Sequence, residues 1–403
     1  MKMLFLAVVL YGIAYVALKR RRFDFLAVAF LSSVVYFIPA VIGYVMFPVA
    51  YGAIDWLPIV NEAYAVMIVV LAATLIGMRI YDSAAHRRTY HLRLAGTESA
   101  ALWALALAFC GLFMALATSG LSELMNPDKT NVLTSLNRWT ILWEVGASLA
   151  AVMSFERRAY FLTVVSMLFL LFDVVIGFRV NFAITCIALL TLSLNDRGRQ
   201  RFLVSSKKLV AVGMIVISFL FVYKQLFIAV KSGNWEGVRQ SVTNPLFYLI
   251  SVVQSEPFIT QSILNEVVKN DFHVGMSHFT SVLYQFVVFS PSLGAHAVSF
   301  NDLFQSKLFP NAIGWGVANN IWAEMWSSGG WPLLGIFIVF YVIALVLMSR
   351  ALRIDQPEVR SVLALISAYW AFYIHRNDLL VEVNLMKRVA IMGALVMFAA
   401  WLG

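Results

Sequence analysis

The sequence predicts an all-α integral membrane protein that crosses the bilayer many times, and three observations carry that prediction. Of the 403 residues, 61% are hydrophobic and 13% charged, whereas roughly 25% are charged in an ordinary soluble domain. Mean hydropathy is +0.83. The apolar residues form blocks that recur from one end to the other and leave one sizeable polar stretch, so one membrane-embedded body is expected instead of two or three soluble domains.

Eleven blocks have the length and composition of spans: 3–18, 24–46, 62–78, 99–118, 139–154, 160–177, 181–195, 209–229, 330–348, 361–376 and 387–402. Several fall short of the roughly 20 residues of a perpendicular helix, which brackets the number of spans at 10–12. The first block follows Lys2 but lacks the small-residue cleavage pattern of a secretory signal, so it reads as a membrane helix. Residues 1–230 then carry spans one to eight, 231–329 form a large loop, and 330–403 carry the last three spans.

The net charge of +9 raises the question of nucleic acid, but the basic residues cluster in short stretches between apolar blocks. They read as topology signals, with no nucleic-acid partner. One set of alternate loops holds Lys19–Arg22, Arg79, Arg87, Arg88, Arg93, Arg157, Arg158, the 197–208 cluster, Arg350, Arg353 and Arg360. The opposite short loops hold Lys129, Arg138, Arg179, Arg376, Lys387 and Arg388. The richer side is cytoplasmic by the positive-inside rule, so the N-terminus lies outside and the C-terminus inside. The 82–97 segment, with His86 and His91 among its arginines, reads as a basic strip on lipid headgroups. Cys110 and Cys186 sit in apolar segments and form neither a metal cluster nor a disulfide scaffold.

The 231–329 segment therefore faces outward, to the periplasm in a bacterial cell. It is too long for a plain connection. Its apolar pieces 245–253 and 280–290 read as interfacial or re-entrant helices, separated by breaks at Pro245, Pro257, Pro291, Pro310, Gly294, Gly314 and Gly316. No internal repeat and no matched pair of broken helices is found, which weighs against a transporter.

Chemistry is sought at the outer rim. Arg179, in Gly177-Phe178-Arg179, and Arg376, in His375-Arg376-Asn377-Asp378, are cations at span ends. Each is either a headgroup anchor, Arg376 with Asp378 to neutralise it, or a clamp for phosphoryl oxygens, which a guanidinium can grip bidentately. His375 and Arg376 share a pocket only if the helix breaks there. Lys224 and Lys231 share a helix face and suit interfacial anchoring, and Arg239 stands in the polar start of the loop. His273, His278 and His296 lie in the loop at spacings that match no compact zinc motif, so no metal site is assigned. His296, in Ser-Leu-Gly-Ala-His, is the histidine best exposed to a substrate. Glu324, flanked by Trp322 and Trp326, either holds a structural arginine or orients and deprotonates a sugar hydroxyl. Asp302 and the intramembrane Asp173 are lesser candidates.

With these residues in view the chain resembles the O-antigen and capsular repeat-unit polymerase family, Wzy, and more distantly the O-antigen ligases. The likeness rests on about eleven helices, a late periplasmic loop, the Gly177-x-Arg179 pair, and the passage Asn320, Glu324, Gly329, Gly330, Gly335 entering the next helix. Family loops often carry Arg-x₁₀-Gly patterns. Here the loop has one arginine, Arg239, with Tyr248, Leu249 and Ile250 where that glycine would fall, which moves weight to Arg179 and Arg376.

The resemblance implies a GT-C-like membrane glycosyltransferase of the bacterial inner membrane, with its active site facing the periplasm. It would transfer a growing glycan from undecaprenyl pyrophosphate to the terminal sugar hydroxyl of another lipid-linked repeat unit. Arg179, Arg376 and Arg239 would bind pyrophosphate, and Glu324 or His296 would activate the hydroxyl. It implies metal-independent catalysis with no cofactor, and as partners the lipid-linked oligosaccharide, membrane lipids and a chain-length regulator protein. Two alternatives stand beside it: a ligase that transfers the glycan to lipid A core, and a lipid or polysaccharide transporter.

Overall fold

A computed structural model describes residues 1–20, 22–48, 54–84, 90, 96–126, 131–132, 136–195, 226–227, 229–253, 255–287, 297–310 and 318–402. The chain is an all-α integral membrane protein, with one β-hairpin among the described residues. Five described helical segments are long and apolar enough to cross a bilayer: Lys2–Lys19, Asn61–Ser83, Ala100–Ser119, Ile321–Ala351 and Leu379–Leu402. Shorter apolar helices cover Phe25–Tyr36, Tyr160–Ile176 and Val180–Asn195. The predicted 209–229 span lies almost wholly outside the described residues.

The chain divides into two compact units that do not follow its linear order. Unit 1 comprises Met1–Arg87, Val253–Arg350 and Tyr369–Lys387, and unit 2 comprises Arg88–Val252, Ala351–Ala368 and Arg388–Gly403.

Unit 1 starts with α1 (Lys2–Ala14), which continues as a π turn over Tyr15–Lys19, and α2 (Phe25–Tyr36). Asp24 caps α2 by accepting from the amides of Leu26 and Ala27. The same carboxylate holds Arg20 through two 2.9 Å hydrogen bonds, while Asp82 takes Arg20 Nε at 3.1 Å. Arg20, placed by sequence in a cytoplasmic basic cluster, is thus only 3% exposed and ordered by two acids. A buried guanidinium persists only when paired in this way.

The predicted 24–46 span is broken. Its helix stops at Tyr36, a short α3 (Ile38–Ile42) follows, and Gly43 turns the chain at φ 98° into β1 (Tyr44–Pro48), which pairs antiparallel with β2 (Ile54–Pro58). Apolar composition misled the reading there, because an apolar strand and an apolar helix look alike when neither shows its period. After the hairpin comes α4 (Asn61–Ala84).

Within the predicted loop, one semi-polar helix is buried along most of its length. In Glu256–Lys269, every residue from Pro257 to Val268 except Ile259 is buried, including Thr260, Gln261, Ser262, Asn265 and Glu266. Asn265 explains part of this tolerance: its Oδ1 accepts from Val60 N at 2.9 Å and its Nδ2 reaches Pro58 O at 3.4 Å, tying the helix to the end of the hairpin. Buried polar side chains are retained where such partners exist.

Unit 2 is built on close helix approach. Its first helix, α5 (Ala100–Ser119), buries Ala100, Ala104, Ala108, Gly111 and Ala115 along one stripe; a four-residue α6 (Leu121–Leu124) follows, and then α7 (Arg138–Glu156) with Gly146 and Ala147. A Cβ on Gly146 would lie 2.9 Å from Ala108 N, and one on Gly111 would lie 2.9 Å from Trp139 O. Small residues let the backbones meet, as is usual between membrane helices. Trp143 fills the core beside them, with its ring 5.6 Å from that of Phe172 on α8 (Tyr160–Ile176). Then come α9 (Val180–Asn195) and two surface helices, α10 (Trp235–Thr243) and α11 (Pro245–Val253).

Returning to unit 1, the remaining helices are α12 (Glu256–Lys269), α13 (Met276–Val287), α14 (Phe300–Leu308) and α15 (Ile321–Ala351). The last begins nine residues before the predicted span and is interrupted at Gly329 and Gly330, the latter at φ 61°. Pro332 follows at once and has no amide to donate. Beside this break the Ser327 carbonyl accepts from Val274 N at 2.9 Å and Gly275 N at 3.3 Å. All eight residues of the first piece, Ile321–Ser328, are buried. A pair of helices closes the chain, α16 (Pro357–Phe372) with a 3₁₀ turn over Tyr373–His375, and α17 (Leu379–Leu402).

Candidate functional site

A polar cluster of unit 1 lies where α15 and α17 begin. Asn320 caps α15, with Oδ1 accepting from Trp322 N at 3.0 Å and Ala323 N at 3.2 Å, and its Nδ2 donates to Thr260 O at 2.8 Å. Asp378 stands just before α17, its Oδ1 accepting from Val381 N at 2.9 Å. Its Oδ2 accepts from Ser299 Oγ, Phe300 N and Asn319 Nδ2 at 2.6, 3.0 and 3.1 Å. One carboxylate therefore serves two helix N-termini, where negative charge is favoured.

Glu324, one turn into α15, is fully buried. Its Oε2 accepts the 2.7 Å hydrogen bond of Leu379 N, an otherwise unpaired amide at the start of α17. Its Oε1 lies 2.9 Å from His278 Nε2. Among the described residues Glu324 thus pairs with a histidine and with no arginine. His278 comes from α13, after the turn at Gly275 (φ 83°), and keeps 7% of its surface exposed. Among the described residues its Nδ1 makes no hydrogen bond. With the carboxyl oxygen accepting, Nε2 carries the ring hydrogen and Nδ1 retains a lone pair, the arrangement by which an acid selects the tautomer of a basic imidazole.

The helix does break at His375 and Arg376, and their side chains go to different partners. His375 is buried. Its Nδ1 takes the Trp322 indole N–H at 3.0 Å, so Nε2 bears the hydrogen and meets Ser33 Oγ at 3.0 Å, while Ser33 donates to Ala29 O. Both ring nitrogens are engaged and the ring stacks on Tyr36 at 5.4 Å, which makes His375 a packing residue.

Arg376 is tied to the cluster through its backbone, since Asn319 N donates to its carbonyl at 2.9 Å. Its guanidinium uses one nitrogen for both of its side-chain polar contacts: Nη1 lies 3.1 Å from Glu256 Oε1 and donates to Tyr373 OH at 2.9 Å. The Tyr373 ring lies 5.3 Å from the guanidinium carbon. Among the described residues no hydrogen bond uses Nε or Nη2, and the side chain is 29% exposed. Glu256, rather than Asp378, is its acid.

The other sequence candidates lie elsewhere. Arg179 is half-buried at the junction of α8 and α9 in unit 2, with its carbonyl accepting from Ala183 N. Arg239 is exposed on α10, a helix with no buried residue. Asp302 is exposed on α14. Asp173 is fully buried on α8 beside Glu144, whose Oε2 accepts from Asn181 Nδ2 at 2.8 Å. Lys231 donates to the carbonyls of Leu124, Asn126 and Ile176 at 3.3, 3.0 and 2.9 Å, and burial pushes its amine below the usual lysine range. Such a bond set makes Lys231 a cap for helix C-terminal carbonyls. His296 and Lys224 fall outside the described residues.

Sequence reasoning missed His278 and Glu256 as partners of the two residues it did single out. His278 is 46 positions from Glu324 and Glu256 is 120 from Arg376, so no local periodicity links either pair. Compared with protein-family models, with curated proteins and with solved structures, the chain matches none.

Proposed function

We propose that this protein is a bacterial inner-membrane glycosyltransferase of the repeat-unit polymerase type, with about eleven spans in a GT-C-like arrangement and its site on the periplasmic face. The observation that carries this reading is the His278–Glu324 pair, built into the same polar cluster as Arg376. An acid-paired histidine and a guanidinium with an open edge suit glycosyl transfer from a lipid diphosphate.

In the proposed step, the terminal hydroxyl of a lipid-linked acceptor attacks the anomeric carbon of the donor glycan. The hydroxyl proton passes to His278 Nδ1, a glycosidic C–O bond forms, and the bond from the anomeric carbon to the diphosphate oxygen breaks. Glu324 positions the imidazole and stabilises the imidazolium that results. Arg376 meets the charge that develops on the departing undecaprenyl diphosphate, an interaction stronger in the transition state than before it. In this reading His278 takes the hydroxyl-activating role that the resemblance implied for Glu324 or His296, and Glu324 acts through it. Arg179, half-buried and cationic, remains a proposed phosphoryl ligand.

The test is purified protein in lipid nanodiscs with defined undecaprenyl diphosphate-linked repeat units. A ladder of polymer is expected from the wild type, and His278→Ala should leave single units unconverted. Transfer to lipid A core without a ladder would instead identify a ligase.

A further inference from the structure

Three helices of unit 2 bring two acids together in an apolar setting. Asp173 is the one charged residue of α8, Glu144 is the one charged residue between the two ends of α7, and α9 carries none. An acid kept inside an apolar span needs a partner or a function. These two have each other. Asp173, fully buried, lies within hydrogen-bonding reach of Glu144, and Asn181 Nδ2 donates to Glu144 Oε2 at 2.8 Å.

An ionised carboxylate can only accept. Two of them at this range repel, and their contact becomes a hydrogen bond only when one carries a hydrogen that the other accepts. The surroundings decide which one. Glu144 receives the Asn181 amide and feels the positive charge of Arg388, exposed on the unit 2 stretch of α17. It is also half-buried where Asp173 is fully buried, and a charge is held at less cost where water reaches it. Two further cations stand at the outer end of α8. Lys231 directs its hydrogens at the carbonyls of Leu124, Asn126 and Ile176, and Arg179 is half-buried at the junction with α9. The negative charge therefore belongs on Glu144 and the hydrogen on Asp173.

A further polar group belongs to the same surface. Thr185, one turn beyond Asn181 on the same face of α9, is fully buried, and its hydroxyl has no hydrogen-bond partner among the described residues. We propose that Glu144 and Asp173 form an intramembrane proton-binding site, in which Asp173 holds one proton and shares it with Glu144. Two acids and one amide suit a proton, which needs a single donor and acceptor, better than a metal ion, which asks for a larger set of oxygen ligands. Loss of the proton would set two charges side by side between apolar helices, so occupancy of the site is coupled to the packing of α7, α8 and α9. None of its residues belongs to the cluster of His278 and Glu324, and the proposal stands whether or not the protein transfers glycans.

The experiment is infrared spectroscopy of the full-length protein in phosphatidylcholine nanodiscs at neutral pH, which reads a protonated carboxyl through its C=O stretch. The wild type is prepared unlabelled and with carbon-13 in the aspartate carboxyls. One acid C=O band should shift with the label and be lost in Asp173→Asn, a variant that keeps a donor toward Glu144 and should unfold at the wild-type temperature. In Glu144→Gln the same band should move or vanish, because its acceptor is no longer a carboxylate. A wild type without any aspartate-sensitive acid band overturns the proposal, and that result needs no variant to fold. A band that survives Asp173→Asn, or that is identical in wild type and Glu144→Gln, overturns it as well. So does a band that disappears when sodium replaces potassium at constant pH, since the pair would then bind a metal cation in place of the proton.

Discussion

The two units use the same ingredients, charged side chains close to helix ends, to different effect. In unit 2 the groups are closed. All three hydrogens of Lys231 reach carbonyls, Arg157 pairs with Glu358, and Arg360 pairs with Glu156. In unit 1, Arg20 is closed in the same manner by Asp24 and Asp82, but the cluster at the start of α15 and α17 is not. His278 keeps one ring nitrogen and Arg376 one guanidinium edge without a hydrogen bond among the described residues. Asn319 Oδ1 in the same cluster is also buried with no hydrogen-bond partner among the described residues, and since buried polar groups ordinarily find partners, it is here that the proposed function places its ligand.

Mutations should separate the two kinds of site. The largest effect is expected for His278→Ala, with turnover falling about 10³-fold, within the range for loss of a general base, and the thermal unfolding midpoint nearly unchanged. If His278 is instead a packing residue, unfolding temperature and turnover will fall together. Gly111→Val should act in the opposite sense. Its side chain would press on the α7 backbone at Trp139 and Trp143, so about 3 kcal/mol of stability should be lost, visible in thermal unfolding in detergent.

Arg376→Ala should lower kcat/KM about 10²-fold, in line with removal of one donor to a developing oxyanion, with kcat carrying most of the change. Lys231→Met leaves three carbonyls without their donor. It should cost about 2 kcal/mol and show in unfolding before it shows in turnover.

The helices were legible in the sequence where apolar runs are long and uninterrupted. The 99–118 and 160–177 segments correspond to Ala100–Ser119 and Tyr160–Ile176 because nothing but a helix satisfies that much apolar backbone in a bilayer. Two features defeated it. The 24–46 run is apolar throughout yet turns at Gly43 into a strand, and Glu256–Lys269 looks like loop yet is buried because Asn265 and Thr260 find partners far away in sequence. At the site, Glu324 and Arg376 stood out as charges at span ends. Their partners did not, since tertiary structure alone brings residues 278 and 256 to them.

Whether Glu324 acts through His278 is decided by a double-mutant cycle on polymerisation. Initial rates on lipid diphosphate-linked repeats are measured for His278→Ala, Glu324→Gln and the double variant, with unfolding temperatures alongside. Glu324→Gln should cost nothing further once His278 is gone, because an orienting acid has no imidazole left to orient. Losses that multiply in the double variant, or a His278→Ala protein that polymerises at the wild-type rate, would contradict it.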